Sequence, residues 1–477
     1  METRESIEVL PSAARMISSL RDVGYSFRGA IADLVDNSIA ANANEVSITM
    51  AWAGADSFIR IADDGDGMTP HRITEALRFG SERDYKSDDL GKFGFGLKTA
   101  SLSQCTEFLV SSRALEGNGQ VYARRFDQEL IARRNEWVIE SVPEAELPDE
   151  ATEPLSGETG TSVVWYKLDR ILGDHFQDTE RAKGRFFDHA EDLEQHLGMV
   201  FHKFLEGTAT SRLGHTISLK INGRTIQPWN PFAPGEAATK QFSDDQFEIT
   251  GHGVAGSVRA VAWILPRKDE FSSPQEFDRL SGPSKWNQQQ GFYIYRSDRL
   301  IQSGGWSRLG AADEHTKQAR VALEFFPQLD AAFGINISKM TVTLPSMLRD
   351  LLKPKIAALR GQAKYSYGQA AAKKAASITP DIQTEQDARR EKLDVPAPTQ
   401  PKSNVMPSQQ DSMPSGNTST GAVAWPPAPV QPPQRLLQNR RKALEKAADS
   451  INESDALRRT IEALILDNPG VAHELGW

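Results

Sequence analysis

Asp33 and Asn37 stand four residues apart in the run Asp33-Leu-Val-Asp-Asn37. Residues i and i+4 leave a helix on one face, so a carboxylate and an amide would emerge together. The carboxylate can orient or deprotonate a water. The amide oxygen can enter the octahedral shell of a magnesium ion held by phosphates, which makes Asn37 the candidate metal ligand. Taken alone, the pair reads more simply as the polar face of an exposed helix. Asp63-Asp-Gly-Asp-Gly67 follows. Glycine permits both a tight turn and a backbone close enough to touch a flat base, so Gly65 and Gly67 would line a base whose exocyclic amine Asp63 accepts. An ordinary strand-ending turn explains the same run equally well.

Gly91-Lys-Phe-Gly-Phe-Gly-Leu-Lys98 sets Gly91, Gly94 and Gly96 around Lys92 and Lys98, with Thr99 next. Backbone N–H groups at a helix start, with a lysine, form an anion site; a flexible loop is the plain alternative. Gly160-Thr161, ahead of an apolar strand, adds a hydroxyl that could serve the base end. In this order the segments supply a water-activating acid, a magnesium ligand, a base reader and a phosphate cover, together a nucleotide pocket. No Gly-x-x-x-x-Gly-Lys-Ser/Thr string occurs, so the pocket is not of the Walker type.

The elements that must position these groups are legible from periodicity. Ala30, Ile31, Leu34, Val35 and Ile39 recur at helical spacing. Residues 46–52 and 58–62 read as strands, and Thr69-Pro70 caps a helix whose buried stripe is Ile73, Ala76, Leu77 and Phe79. Further strands are expected at 124–126 and 162–166, and a closing helix at 192–205. A second unit is expected to hold strands at 215–221 (entering a turn at Asn222-Gly223), 258–265, 291–296 and 335–342. Helices at 323–326 and 346–360 would pack on them. The domain borders expected from this pass are 1–207, 208–360, a helical extension over 361–378, a Pro/Ser/Gln-rich disordered linker over 379–434, and short helices over 435–477.

Composition narrows the class. The 477 residues exceed one ordinary domain, and 39% hydrophobic with 25% charged residues fit a soluble globular protein. A formal charge of −9 argues against coating nucleic acid with the whole surface. The lone Cys105 excludes an intramolecular disulfide and a cysteine-rich zinc site, and reads as a small buried residue. The chain shows neither a membrane-length apolar run nor a signal peptide at its start, so a cytoplasmic location without membrane contact is expected.

Together the motifs resemble the GHKL, or Bergerat-fold, ATPases: gyrase B subunits, large heat-shock chaperones, histidine kinases and MutL-type repair proteins. The runs from Ala30 to Asn37, from Asp63 to Met68, Phe79-Gly-Ser81 and from Gly94 to Thr99 look most like the bacterial MORC/MutL branch. The resemblance implies an α+β fold: a Bergerat-type sandwich of helices on a mixed sheet, then a smaller S5-like α/β transducer domain. It implies ATP and Mg2+ as cofactors, with Asp33 catalytic and Asp36 structural. It also implies Met68, Phe93, Phe95 and Thr161 among the nucleotide contacts, and Lys339 as a second-domain contact to the terminal phosphate. A solvated lysine on a strand edge remains the alternative for Lys339.

Most relatives carry glutamate where this chain has Asp33, and the shorter side chain points to slow hydrolysis. The branch further implies an ATP-driven homodimeric clamp acting on DNA, with a partner nuclease or helicase in genome defence. A chaperone-like clamp on protein clients, and a slow scaffold that recruits a nuclease, stay open beside it.

Overall fold

The computed structural model describes residues 11–22, 25–79, 96–173, 176–251, 253–335 and 342–390. The chain divides into two units, Met1–Asp394 and Val395–Trp477. Gly91, Lys92, Phe93, Gly94, Phe95, Lys339 and the segment 391–477 lie outside the described residues.

Within the first unit, four helices frame the candidate site: α1 (Ala13–Arg21), α2 (Phe27–Ala40), α3 (Pro70–Leu77) and α4 (Gly96–Leu102). Each start follows local chemistry where the start is described. Ser12, Ser26 and Thr69 accept from the backbone N–H three residues on, and Pro70 occupies the first turn of α3. The helices and the longer helix Glu180–Val200 bury their apolar sides against one face of an eight-stranded sheet. Its strands are β1 (Glu45–Ala51), β2 (Phe58–Asp63), β3 (Glu107–Arg113), β4 (Val121–Asp127), β5 (Glu140–Val142), β6 (Gly160–Tyr166), β7 (Ser218–Ile221) and β8 (Arg224–Thr225). Their order is β5-β4-β3-β6-β2-β1-β7-β8, and only β1–β7 is a parallel pair, so the sheet is mixed. Strand β1 alternates buried and half-buried residues, as a strand covered on one face should.

A five-stranded sheet follows, ordered β12-β11-β13-β10-β9. It is built from β9 (Lys240–Gly251), β10 (Val254–Ile264), β11 (Gly291–Arg296), β12 (Arg299–Ser303) and β13 (Ala319–Phe325). Leu348, Leu352, Ile356, Leu359 and Ala363 of the helix Ser346–Arg390 cover its core at spacings of three and four. The α+β class therefore holds: helices on a mixed sheet, then a smaller α/β layer.

Several expectations are corrected. Residues 323–326 are not helical: they lie in or just after β13, a central strand paired on both edges, whose apolar run reads alike for a buried strand or helix. The strand at 218–221 and its turn at Asn222-Gly223, both at positive φ, join the first sheet beside β1. The border between the sheets thus falls beyond Thr225, later than residue 207. The helix Ser346–Arg390 runs through residue 378, so 379–390 is helix rather than linker; Glu385, Gln386, Ala388 and Arg389 are good helix formers. The closing helix begins at Glu180 and breaks at Phe201. The expected strand at 335–342 falls largely outside the described residues.

Candidate active site

Helix α2 is buried nearly all round, and its polar residues are buried with it: Asp33 is 2% exposed and Asp36 1%. The expected exposed polar face is instead covered. Tyr25 Oη donates to Asp33 Oδ2 at 2.9 Å, and Arg299 Nη2 donates to Asp33 Oδ1 at 3.2 Å. Arg299 Nε lies 3.0 Å from Asp36 Oδ1, an ion pair by distance though not aligned as a hydrogen bond. Burial pushes the Tyr25 phenol well above its ordinary range, and the Asp33 carboxylate pushes it further. Thr99 of α4 supplies a hydrogen bond to that phenol. One turn on, Asn37 is half-buried, and its amide has no hydrogen-bond partner among the described residues.

Asp63 closes β2 with its carboxylate fixed from two sides. Ser38 Oγ, on α2, donates to Oδ2 at 2.7 Å, and the Gly65 N–H donates to Oδ1 at 3.0 Å. Asp63 is also paired in register with Thr161 of β6. Desolvation raises the Asp63 carboxyl above its ordinary value, against the lowering effect of the Ser38 and Gly65 hydrogen bonds. Ser38 follows Asp33 by five residues, about 7.5 Å along the helix axis, so α2 carries both ends of the site.

The two glycines are required by packing. A Cβ at Gly65 would stand 2.6 Å from the Ala41 carbonyl at the end of α2. Gly67 has φ +69°, and a Cβ there would lie 1.9 Å from the Arg113 carbonyl of β3. We therefore expect Gly67→Val to lower unfolding free energy by roughly 2–4 kcal/mol, from left-handed strain plus a forced backbone shift. Urea denaturation of both proteins measures it, and an unchanged midpoint would refute the steric argument. Next to this turn, the Met68 N–H donates to Ser112 Oγ, which also contacts the Gly160 carbonyl and the Thr161 hydroxyl.

At the far end, a Cβ on Gly96, the first residue of α4, would lie 4.0 Å from Asp33 Oδ2, so the end of the glycine-rich run abuts the acid. Lys98, expected beside phosphates, is fully buried and donates to the Ala76 and Arg78 carbonyls at the end of α3. Its ammonium also lies 5.5 Å from the Phe79 ring. Burial lowers its pKa to about 8. In this arrangement Lys98 ties α4 to the end of α3.

The structure thus gathers Asp33, Asn37, Gly96 and Thr99 around α2 and α4, with Asp63, Gly65, Gly67, Met68 and Thr161 at the other end of α2. Sequence reasoning missed Tyr25, Ser38, Ser112 and Arg299. Ser38 carried a signal, since a hydroxyl directly after Asn37 on a buried helix needs a partner. Arg299 carried none, being 266 residues from Asp33. A pocket of about 340 Å³, lined by Arg21, Phe27, Gln104 and His189 among others, shares Tyr25 with this site.

The sequence model of the histidine kinase-, DNA gyrase B- and HSP90-like ATPases matches residues 25–161. Over 98 residues the chain is 31% identical to Protein MICRORCHIDIA 4 of Arabidopsis thaliana, a stretch that is 19% of this chain and 12% of that protein. Among solved structures, the chain is similar to the N-terminal domain of a DNA repair protein at 16% identity and a TM-score of 0.43, covering 74% of this chain and 99% of the other. Residues 25–161, which hold every described residue of the candidate site except Arg299, carry the similarity to the histidine kinase-, DNA gyrase B- and HSP90-like ATPases.

Proposed function

We propose that the chain is a magnesium-dependent ATP-binding and ATP-hydrolysing clamp whose ATPase domains pair when ATP is bound, and that it acts on DNA. The observation that supports this best is the setting of Asp63. Its carboxylate is fixed by Ser38 and Gly65 beside a turn that tolerates no side chain at Gly65 or Gly67, at one end of the helix that carries Asp33 and Asn37. A fixed acceptor next to bare backbone suits the amine edge of a planar base.

Asn37 fits a magnesium ligand, being half-buried one turn from Asp33 with a hard oxygen to offer. Among the described residues no cluster of three His, Cys, Asp or Glu could hold a metal ion by itself, which suits an ion bound largely through substrate phosphates and water. Bound there, magnesium would neutralise charge developing on those phosphates. Asp33 then orients the attacking water. Gly91, Lys92, Phe93, Gly94 and Phe95 cover the phosphates, and Lys339 contacts the terminal one. Closure over ATP shifts the population toward paired domains, and hydrolysis reverses it.

The hold that Tyr25 and Arg299 keep on Asp33 favours slow turnover, and with it a second reading: an ATP-held scaffold that recruits a nuclease or helicase. Turnover and oligomeric state, each with and without long DNA, separate the two. The clamp predicts salt-sensitive DNA binding strengthened by a non-hydrolysable ATP analogue. It fails if DNA alters neither rate nor pairing. The scaffold predicts tight ATP binding with negligible turnover throughout.

Asp63 adds a pH signature. Its folded pKa is raised, so acidification protonates it earlier than an ordinary aspartate. That protonation relieves a cost of folding, because the buried charge is removed, yet destroys the acceptor for the base amine. ATP affinity should therefore fall on acidification from a pH above the usual aspartate range, while this group's contribution to stability moves the other way. Calorimetric titration of ATP across pH tests it; affinity flat down to pH 4 would contradict the assignment.

A further inference from the structure

Arg299 begins β12, the edge strand of the second sheet, yet its guanidinium is buried against α2 of the ATPase domain. Its placement is built. Ser297 and Asp298 both adopt positive φ in the two-residue turn between β11 and β12, where Arg296 pairs with Arg299. The turn is anchored to the first domain: Asp298 accepts from the Thr210 N–H at 2.8 Å and its hydroxyl at 2.6 Å, and lies 3.3 Å from Lys203 Nζ. Lys203 also pairs with Glu324 of β13 at 2.7 Å. Arg296, at the other side of the turn, is locked to Asp330 at 2.7 and 2.9 Å.

We infer that Arg299 is a positioning residue through which the second domain sets the orientation and basicity of Asp33. This rests on the proposed role of Asp33. One Asp33 oxygen accepts from Tyr25 and the other from Arg299, so the carboxylate is oriented by both domains at once. A carboxylate engaged by a cation is a weaker base, and any movement of the β11–β12 hairpin changes that engagement. Asp36, one turn away, offers the same guanidinium a second carboxylate, so a short shift can redistribute it between the two. Among the described residues, the charged and titratable groups facing this junction are Tyr25, Arg28, Asp33 and Asp36 from α2 and its approach, His196 from the helix Glu180–Val200, and Arg299 itself. Burial, with Arg28 and Arg299 nearby, holds His196 at about 3, so it stays neutral there.

The test uses the full chain with Arg299→Lys, Arg299→Met, Asp36→Asn and Asp33→Asn, measuring ATP affinity, single-turnover hydrolysis against pH, and amide exchange of the β11–β12 hairpin. Arg299→Met should change the hydrolysis rate at least tenfold with ATP affinity within threefold, and move the acid limb of the pH–rate profile to higher pH. Arg299→Lys should restore most of the wild-type rate and limb. Asp33→Asn should speed hairpin exchange at least tenfold. That readout needs no turnover and stands even where Arg299→Met fails to fold. Asp36→Asn, which keeps the Asp33 contact, should move the rate without moving affinity. The inference is overturned if Arg299→Met folds and keeps the wild-type rate and acid limb, or if hairpin exchange ignores Asp33. Wild-type turnover in Asp33→Asn would instead remove the catalytic assignment, a separate result.

Discussion

Asp63→Asn should abolish measurable ATP binding while leaving the fold intact. The wild-type carboxylate accepts from Ser38 Oγ and the Gly65 N–H, which fixes its plane. An asparagine can keep the Gly65 bond through its carbonyl oxygen. The Ser38 hydroxyl can rotate to accept from the new amide, because a hydroxyl both donates and accepts. The local network is thus repaired. What cannot be repaired is the surface offered to a base amine, where an N–H donor would now face another donor. Losing a buried charge-assisted acceptor and gaining a mismatch amounts to about 3–4 kcal/mol, or roughly two to three orders of magnitude in affinity.

Asp64→Asn is the matched control. Asp64 accepts from the Asn44 and Glu45 N–H groups on the outer side of the turn, so its loss should loosen the start of β1 without touching base recognition. Titration calorimetry with ATP and magnesium, alongside thermal melts, resolves the pair. An Asp63→Asn dissociation constant within threefold of wild type would end the base-reader assignment.

How far the site was legible depends on where each restraint originates in the chain. Asp33, Asn37 and Asp63 could be singled out because the pattern that marks them is local: a helix repeat relates the first two, and a strand end with glycine two residues later marks the third. Gly65 and Gly67 were readable as a turn. The reason for their absolute need, the Ala41 and Arg113 carbonyls, appears only when the end of α2 and β3 are laid against the turn. A lysine after a glycine run suggests phosphate, and the sequence offers no sign that tertiary packing sets the Lys98 ammonium on the end of α3. The strand expected over 215–221 was marked by its turn at Asn222-Gly223, but a turn says nothing about which sheet the strand joins; pairing depends on neighbours, not on the strand's own residues. Arg299 was the least accessible of all. Its sequence setting marks only a hairpin, and its partner lies 266 residues away, on a helix of the first sheet.

Asp33→Ala should bind ATP with affinity near that of wild type and fail to turn it over, leaving the paired, ATP-bound form to accumulate. Removing a general base or water-orienting carboxylate lowers rate by about 10²–10⁴. The substitution also removes one side of a buried ion pair, a change that costs about 3–5 kcal/mol when a charge is left bare. Here Arg299 keeps Asp36 at 3.0 Å, so the loss should be smaller and the domain should remain folded. Single-turnover hydrolysis with sedimentation analysis reads both consequences; normal turnover would sink the assignment outright.

Asp33→Glu then addresses the length of the acid itself. One added methylene carries the carboxylate about 1.5 Å farther, a displacement large enough to change a catalytic rate by orders of magnitude. With Tyr25 at 2.9 Å and Arg299 at 3.2 Å, the native aspartate is short enough to be held by both. We expect the glutamate variant to hydrolyse ATP faster at unchanged affinity, since the longer arm can reach past that grip. Slower hydrolysis would mean that the hold of Tyr25 and Arg299 on Asp33 is itself the productive geometry. The shorter acid would then belong to the catalytic design, with Arg299 set to match its length.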